Sequence, residues 1–314
     1  VLRGAGAEPH DSVVLRWLHP LTDARGAGRL LAWLGSDEPA PTEPLASINR
    51  FIPASLNERQ QLAQRYFRHI MTLAEVPIVS PYTAAGSPKA GRLGVQRVVL
   101  DVEQTRDFDR SLRKRAGLAD TSVLLFAATR MVDRFMRERG LSPARYLVPV
   151  PVSLDGKAEQ TRMFGNHLTM MMLRLDRDVL ADEKAAVQSL ASQRRAIVRD
   201  KLDAAMLSAL DVSAMMPSRL FSWGQRRPFG GERGSLLVSN PGAIAIDRFQ
   251  GLPVSDAYTV PTALTPPGFQ LIAQRHAGKL SVLVGHSAGV MSDEWVKQQL
   301  EVVVAELAGG LAPP

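Results

Sequence analysis

Strand-type and helix-type apolar patterns alternate along this chain, and that alternation restricts it to a layered α/β fold. Strands are predicted over 12–18, 94–102, 145–153, 166–175, 234–239, 268–276 and 279–285. Helices are predicted over about 26–35, 55–75, 104–116, 121–139, 182–200, 203–215 and 292–307. Ser55-Leu-Asn-Glu58 is a capping-box pattern that starts the second helix. Val123, Leu124, Ala127, Ala128, Met131 and Phe135 form one helical stripe that stops before Gly140. Pro149 and Pro151 place the 145–153 strand at an edge or a bulge. Proline- and glycine-rich stretches at 36–53, 77–93 and 217–233 read as loops. The 77–93 loop is the natural lobe boundary, giving segments 1–85 and 86–314. No internal repeat or low-complexity tract is visible.

Composition narrows the chemistry. The 314 residues suit two domains or one large one, and 45% hydrophobic content supports a sizeable core. The absence of cysteine excludes disulfides, thiolate metal sites and a cysteine nucleophile. The formal charge is +7, yet no Lys/Arg block is long enough for a nucleic-acid tail. Shorter basic clusters occur at Arg110–Arg115, Arg194-Arg195 and Arg226-Arg227. They read either as solvated helix faces or as attraction for anionic partners. No apolar run approaches the ~20 residues of a membrane span, and the N-terminus lacks a signal-peptide core. A cytoplasmic location is expected; Ser218–Phe229, mixing arginines with aromatics, reads as an ordinary surface loop or as a contact with a bilayer interface or the CoA mouth.

The chemistry-bearing feature is His19-Pro-Leu-Thr-Asp23, at the end of the apolar run Val13–Leu18. A histidine titrates near neutrality and suits proton abstraction from an acceptor during acyl transfer. A strand end would hold it rigidly beside a channel. Asp23 would orient the turn through backbone N–H groups or an arginine, or simply cap a helix. Gly26 and Gly28 would let the next helix pack close to the strand. The alternative is a histidine with only a structural role.

Leu18-His19-Pro-Leu-Thr-Asp23-Ala24-Arg-Gly26 resembles the His-His-x-x-x-Asp-Gly motif of the chloramphenicol acetyltransferase-like superfamily. That group includes peptide-synthetase condensation domains and the wax ester synthase/diacylglycerol acyltransferase branch. The resemblance makes His19 the general base and Asp23 the structural aspartate. Leu18 replaces the first histidine, and Ala24 replaces the glycine. Thr121-Ser122 stands where that branch has Asn-Asp. Val148–Ser153, then Gly165-Asn166, is similar to its Pro-Val-Ser strand and Gly-Asn turn, and Asp155 sits where an arginine is common. Leu236–Ser239-Asn240-Pro-Gly242 is similar to its Ser-Asn-x-Pro-Gly strand. Only 18 residues precede the histidine, where family members carry a block of strands and helices.

The resemblance implies a two-lobed layered sandwich with mixed sheets and an incomplete N-terminal lobe. It implies acyl transfer from an acyl-CoA or acyl carrier protein thioester to an alcohol or amine, in lipid metabolism. The thioester is a co-substrate, and no permanently bound cofactor is implied. Ser239, Asn240 and Asn166 become candidates for oxyanion or substrate contacts. A second polypeptide could complete the N-terminal lobe. The same departures fit a degenerate relative that binds acyl carriers without turnover.

Other signals weigh less. Gly285-His-Ser287-Ala-Gly289 matches a nucleophile elbow, but no histidine follows Ser287, so a serine hydrolase is the third choice. Met163, Met170, Met171 and Met172 could line an acyl channel or pack the core. His10, His69, His167, His276 and His286 lack metal-ligand spacing, and there is no glycine-rich phosphate loop.

Overall fold

The structure is a computed structural model. It describes residues 2–3, 11–19, 21–37, 52–89, 91–116, 120–154, 163–214, 216–262 and 264–309. Asp155, His10 and most of the 36–53 loop lie outside the described residues.

In chain order the N-terminal elements are β1 (Leu2–Arg3), β2 (Asp11–Ser12), α1 (Ala24–Leu34), α2 (Leu56–Ala74) and α3 (Pro81–Ala84). Next come β3 (Leu93–Leu100), α4 (Val102–Ala116), α5 (Asp120–Glu138), β4 (Arg145–Ser153) and β5 (Leu168–Asp176). Then follow α6 (Glu183–Arg199), α7 (Leu202–Ala214), α8 (Ser218–Arg226) and β6 (Leu237–Ala243). The chain closes with β7 (Arg248–Phe249), β8 (Leu252–Pro253), β9 (Phe269–His276), β10 (Lys279–Ser287) and α9 (Asp293–Gly309).

The expected mixed α/β fold is present. The main sheet has the order β3-β10-β9-β6, with β10 antiparallel to both neighbours and β6 parallel to β9. Its long inner strand β10 is buried over Leu280–Ser287, as expected for a strand covered on both faces. Helices α4, α5, α6 and α9, together with Tyr146 and Val148 of β4 and Leu173 and Leu175 of β5, supply most of the rest of the principal core, the helices through residues such as Leu124, Phe135, Leu190 and Leu300. The α5 stripe read from sequence is fully inside.

β4 and β5 form a separate antiparallel pair. The prolines of β4 occupy an edge, as predicted: Ser235 N donates to Leu147 O at 2.7 Å, and Gly234 leaves room for the Pro149 ring. A smaller core of Ile70, Leu73, Ile78, Leu147 and Phe229 fastens α2 to this hairpin. Met171 and Met172 are core residues, and Met170 N lies 3.2 Å from the Met206 sulfur.

Three local expectations are corrected. Residues 13–18 are not a strand; only Asp11–Ser12 pair, with Leu2–Arg3. The 77–93 loop contains α3, and the 217–233 loop contains α8. Both helices start at a proline, at or just before the first helical residue, where its missing N–H costs nothing.

Candidate active site

α1 begins where the sequence motif ends. Asp23 is its N-cap, accepting from Arg25 N and Gly26 N at 3.0 Å each. The backbone-binding role read for Asp23 and the helix-cap role are therefore the same interaction. Leu21 N donates to Leu18 O at 2.9 Å, closing a turn that carries His19. That turn replaces the expected end of a buried strand, and His19 is exposed on it. Val13, Val14, Leu18 and Leu21 beside it are exposed as well, Leu18 by 78%.

Long-range hydrogen bonds fix the turn. Gly165 N donates to Leu21 O at 2.8 Å, and Thr22 forms a parallel bridge with Gly165. The buried Thr22 hydroxyl donates to Met163 O at 2.6 Å. Arg25 Nε donates to Pro241 O at 3.1 Å. The His-x-x-x-Asp segment is thus tied to the Gly165-Asn166 turn and to the Ser239–Gly242 segment. All three motif segments converge.

Gly26 makes the approach possible. A Cβ there would sit 2.1 Å from Thr22 Oγ1 and 2.5 Å from Met163 O. Gly28, expected to play the same part, faces open space within 4 Å. It has no packing role, which corrects the sequence reading.

Contrary to the sequence reading, Ser239 and Asn240 do not end the strand, since β6 runs to Ala243. The strand continues past them with a register break between Ser239 and Gly242. Such a bulge leaves residues unpaired and re-aims their side chains. Asn166 follows the Gly165 turn, and its buried Oδ1 has no partner among the described residues. An orphaned acceptor beside the motif is a position that a ligand N–H or O–H would satisfy.

Two residues central to this arrangement, Thr22 and Arg25, carry no signal of their own in the sequence. Their importance comes from partners more than 100 positions away, 141 for Thr22 and 216 for Arg25. Ser287 is buried at 2% exposure, and its hydroxyl is not presented as a nucleophile elbow would present it. Its neighbour His286 is fully buried, with Nε2 3.0 Å from Asp293 Oδ1. Arg92 Nη2 donates to Asp293 Oδ2 at 2.9 Å. Burial lowers the His286 pKa more than Asp293 raises it, and the Arg92 hydrogen bond holds Asp293 low.

Three solved structures resemble the chain along more than nine-tenths of its length. One is the epimerization domain from the third module of tyrocidine synthetase B, with TM-score 0.60, 14% identity, and coverage of 93% of this chain and 66% of that one. Another is the trichothecene 15-O-acetyltransferase of Fusarium sporotrichioides, with TM-score 0.62, 13% identity, and coverage of 91% and 63%. A third is the first condensation domain of the CDA synthetase, with TM-score 0.58, 15% identity, and coverage of 92% and 62%. The chain has a condensation-domain fold. It spans less than two thirds of these structures' own lengths. No protein-family model and no curated protein matches the sequence. The condensation-domain fold is the one the His19–Asp23 resemblance implied.

Proposed function

We propose that the chain is an acyltransferase that moves an acyl group from a CoA or carrier-protein thioester to a hydroxyl or amine. The observation that carries this reading is the tethering of the His19 turn to Gly165 and Pro241. These tethers support a site in which His19, the Asn166 amide and the Ser239-Asn240 bulge act together. An acetyltransferase shares the fold, and another similar structure is a starter condensation domain in complex with C8-CoA.

In this mechanism His19 takes the acceptor proton as the acceptor oxygen or nitrogen attacks the thioester carbon. The new bond forms, and charge gathers on the carbonyl oxygen, where Ser239 or Asn240 donates to it. The C–S bond then breaks and the thiolate recovers the proton from the imidazolium. Asn166 Oδ1 accepts from a donor group on the substrate. No acyl-enzyme forms. The exposed Val13, Val14, Leu18 and Leu21 side chains would be covered by further polypeptide, which would also wall in His19.

The test is free-thiol release from a panel of acyl-CoAs, with and without alcohols or amines. His19→Ala is expected to lower the acceptor-dependent rate by roughly 10²–10⁴-fold with donor binding kept. Equal release from wild type and variant overturns the base assignment. The exposure of His19 favours a second reading, acyl-carrier binding without turnover. Tight donor binding with no thiol release in any arm would establish it.

A further inference from the structure

A cleft of about 510 Å³ opens between α2 and the α6–α7 junction. Arg65, Arg68, His69 and Thr72 line it from α2, and Arg199 and Asp200 line it from the end of α6. The α2 positions are spaced i, i+3, i+4 and i+7, so they share one helix face. The adjoining face carries Tyr66, Ile70 and Leu73 into the smaller core, and Arg65, Arg68 and Thr72 stay exposed.

The charges do not balance. Asp200 is the cleft's carboxylate, and Arg199 occupies both its oxygens, with Nε at 2.8 Å and Nη2 at 3.1 Å. Arg65 Nη1 donates to the Asp200 backbone oxygen at 3.2 Å and pairs with no carboxylate among the described residues. Arg68 is exposed at the cleft one turn further on. His69 is pushed below its ordinary pKa by burial, then by the charge of Arg174 on β5. Two guanidiniums one helical turn apart present forked donors suited to tetrahedral oxyanions.

We propose that this cleft binds the phosphate groups of a small organic phosphate or diphosphate. Arg65 and Arg68 hold the phosphoryl oxygens and His69 supplies a further donor, while the Thr72 hydroxyl donates to Arg68 O at 3.2 Å and lines the wall. The site is separate from the His19 turn but linked to it. Thr169 Oγ1 donates to Asp203 O at 2.7 Å, tying the start of α7 to the strand that begins just after Asn166. The assignment holds whether or not the chain catalyses acyl transfer.

Calorimetric titration of the whole chain at fixed ionic strength tests it, with inorganic pyrophosphate, CoA and phosphate-free pantetheine as probes. Arg68→Ala and Arg68→Lys are compared with Arg113→Ala, which removes an exposed charge from α4. Pyrophosphate and CoA are expected to bind and to compete, while pantetheine does not bind. Arg68→Ala should weaken both by about tenfold or more, with partial recovery in Arg68→Lys. The His69 imidazole should titrate at higher pH when pyrophosphate is bound, read from its NMR shift. Tighter CoA binding identifies an organic phosphate, and tighter pyrophosphate binding a free one. Absence of binding, an equal loss in Arg113→Ala, or an unmoved His69 titration overturns the proposal.

Discussion

Gly26 and Gly28 stand two positions apart on α1 and carry opposite demands. A methyl group at 26 would collide with Thr22 Oγ1 and with the Met163 carbonyl, while at 28 it meets nothing within 4 Å. Gly26→Ala should therefore cost about 1–3 kcal/mol in denaturant unfolding. Gly28→Ala should be neutral or stabilising by up to about 1 kcal/mol, since alanine is the better helix former. The sequence showed two glycines after the motif but not which one touches the Met163 strand entry. That contact depends on a segment far along the chain. His286 behaves in the same hidden way. Buried and neutral, it must stay unprotonated in the fold, whereas the unfolded chain takes up the proton below about pH 6.5. Its depressed pKa gives stability that is fully present above that pH and declines as the pH falls toward the folded-state value. Asp293 stays ionised across the window because Arg92 holds it low. His286→Gln should flatten the decline in unfolding midpoint measured between about pH 7.5 and pH 5.5.

Helices were more legible than strands. The α5 stripe and the Ser55 cap on α2 are local patterns, and local patterns survive in any context. Val13–Leu18 is as apolar and β-branched as a strand, yet it has no pairing partner among the described residues. Strand propensity expresses fit to a neighbouring strand, so without one the run stays irregular. α8 was hidden by proline, glycine and arginine composition, although Pro217 is well placed before a first turn. Ser80, Thr83 and Glu232 show how separate elements are joined. Glu232 Oε1 accepts from Ser80 N at 3.0 Å, from Ser80 Oγ at 2.9 Å and from Thr83 Oγ1, buttoning the α3 segment to the loop before β6. Glu232→Ala strands the two buried Ser80 donors and should lower stability by about 2–3 kcal/mol in urea unfolding.

At the scale of the molecule, the alternation of patterns identified the α/β class, and the order of weak motifs identified the fold. The placement of His19 in an exposed turn was not legible, because exposure depends on what else packs there. The apolar surface around it has a measurable consequence. Val14→Ser with Leu18→Ser should change folding stability by less than about 0.5 kcal/mol, since both side chains are exposed. The same pair should reduce self-association in sedimentation velocity, because it removes two exposed apolar side chains.

The tethers of the His19 turn span 141 and 216 positions of sequence. Contacts so distant are made late, after the intervening chain has collapsed. A polypeptide cut before Met163 would keep every letter of the histidine motif and lose the geometry that gives those letters meaning.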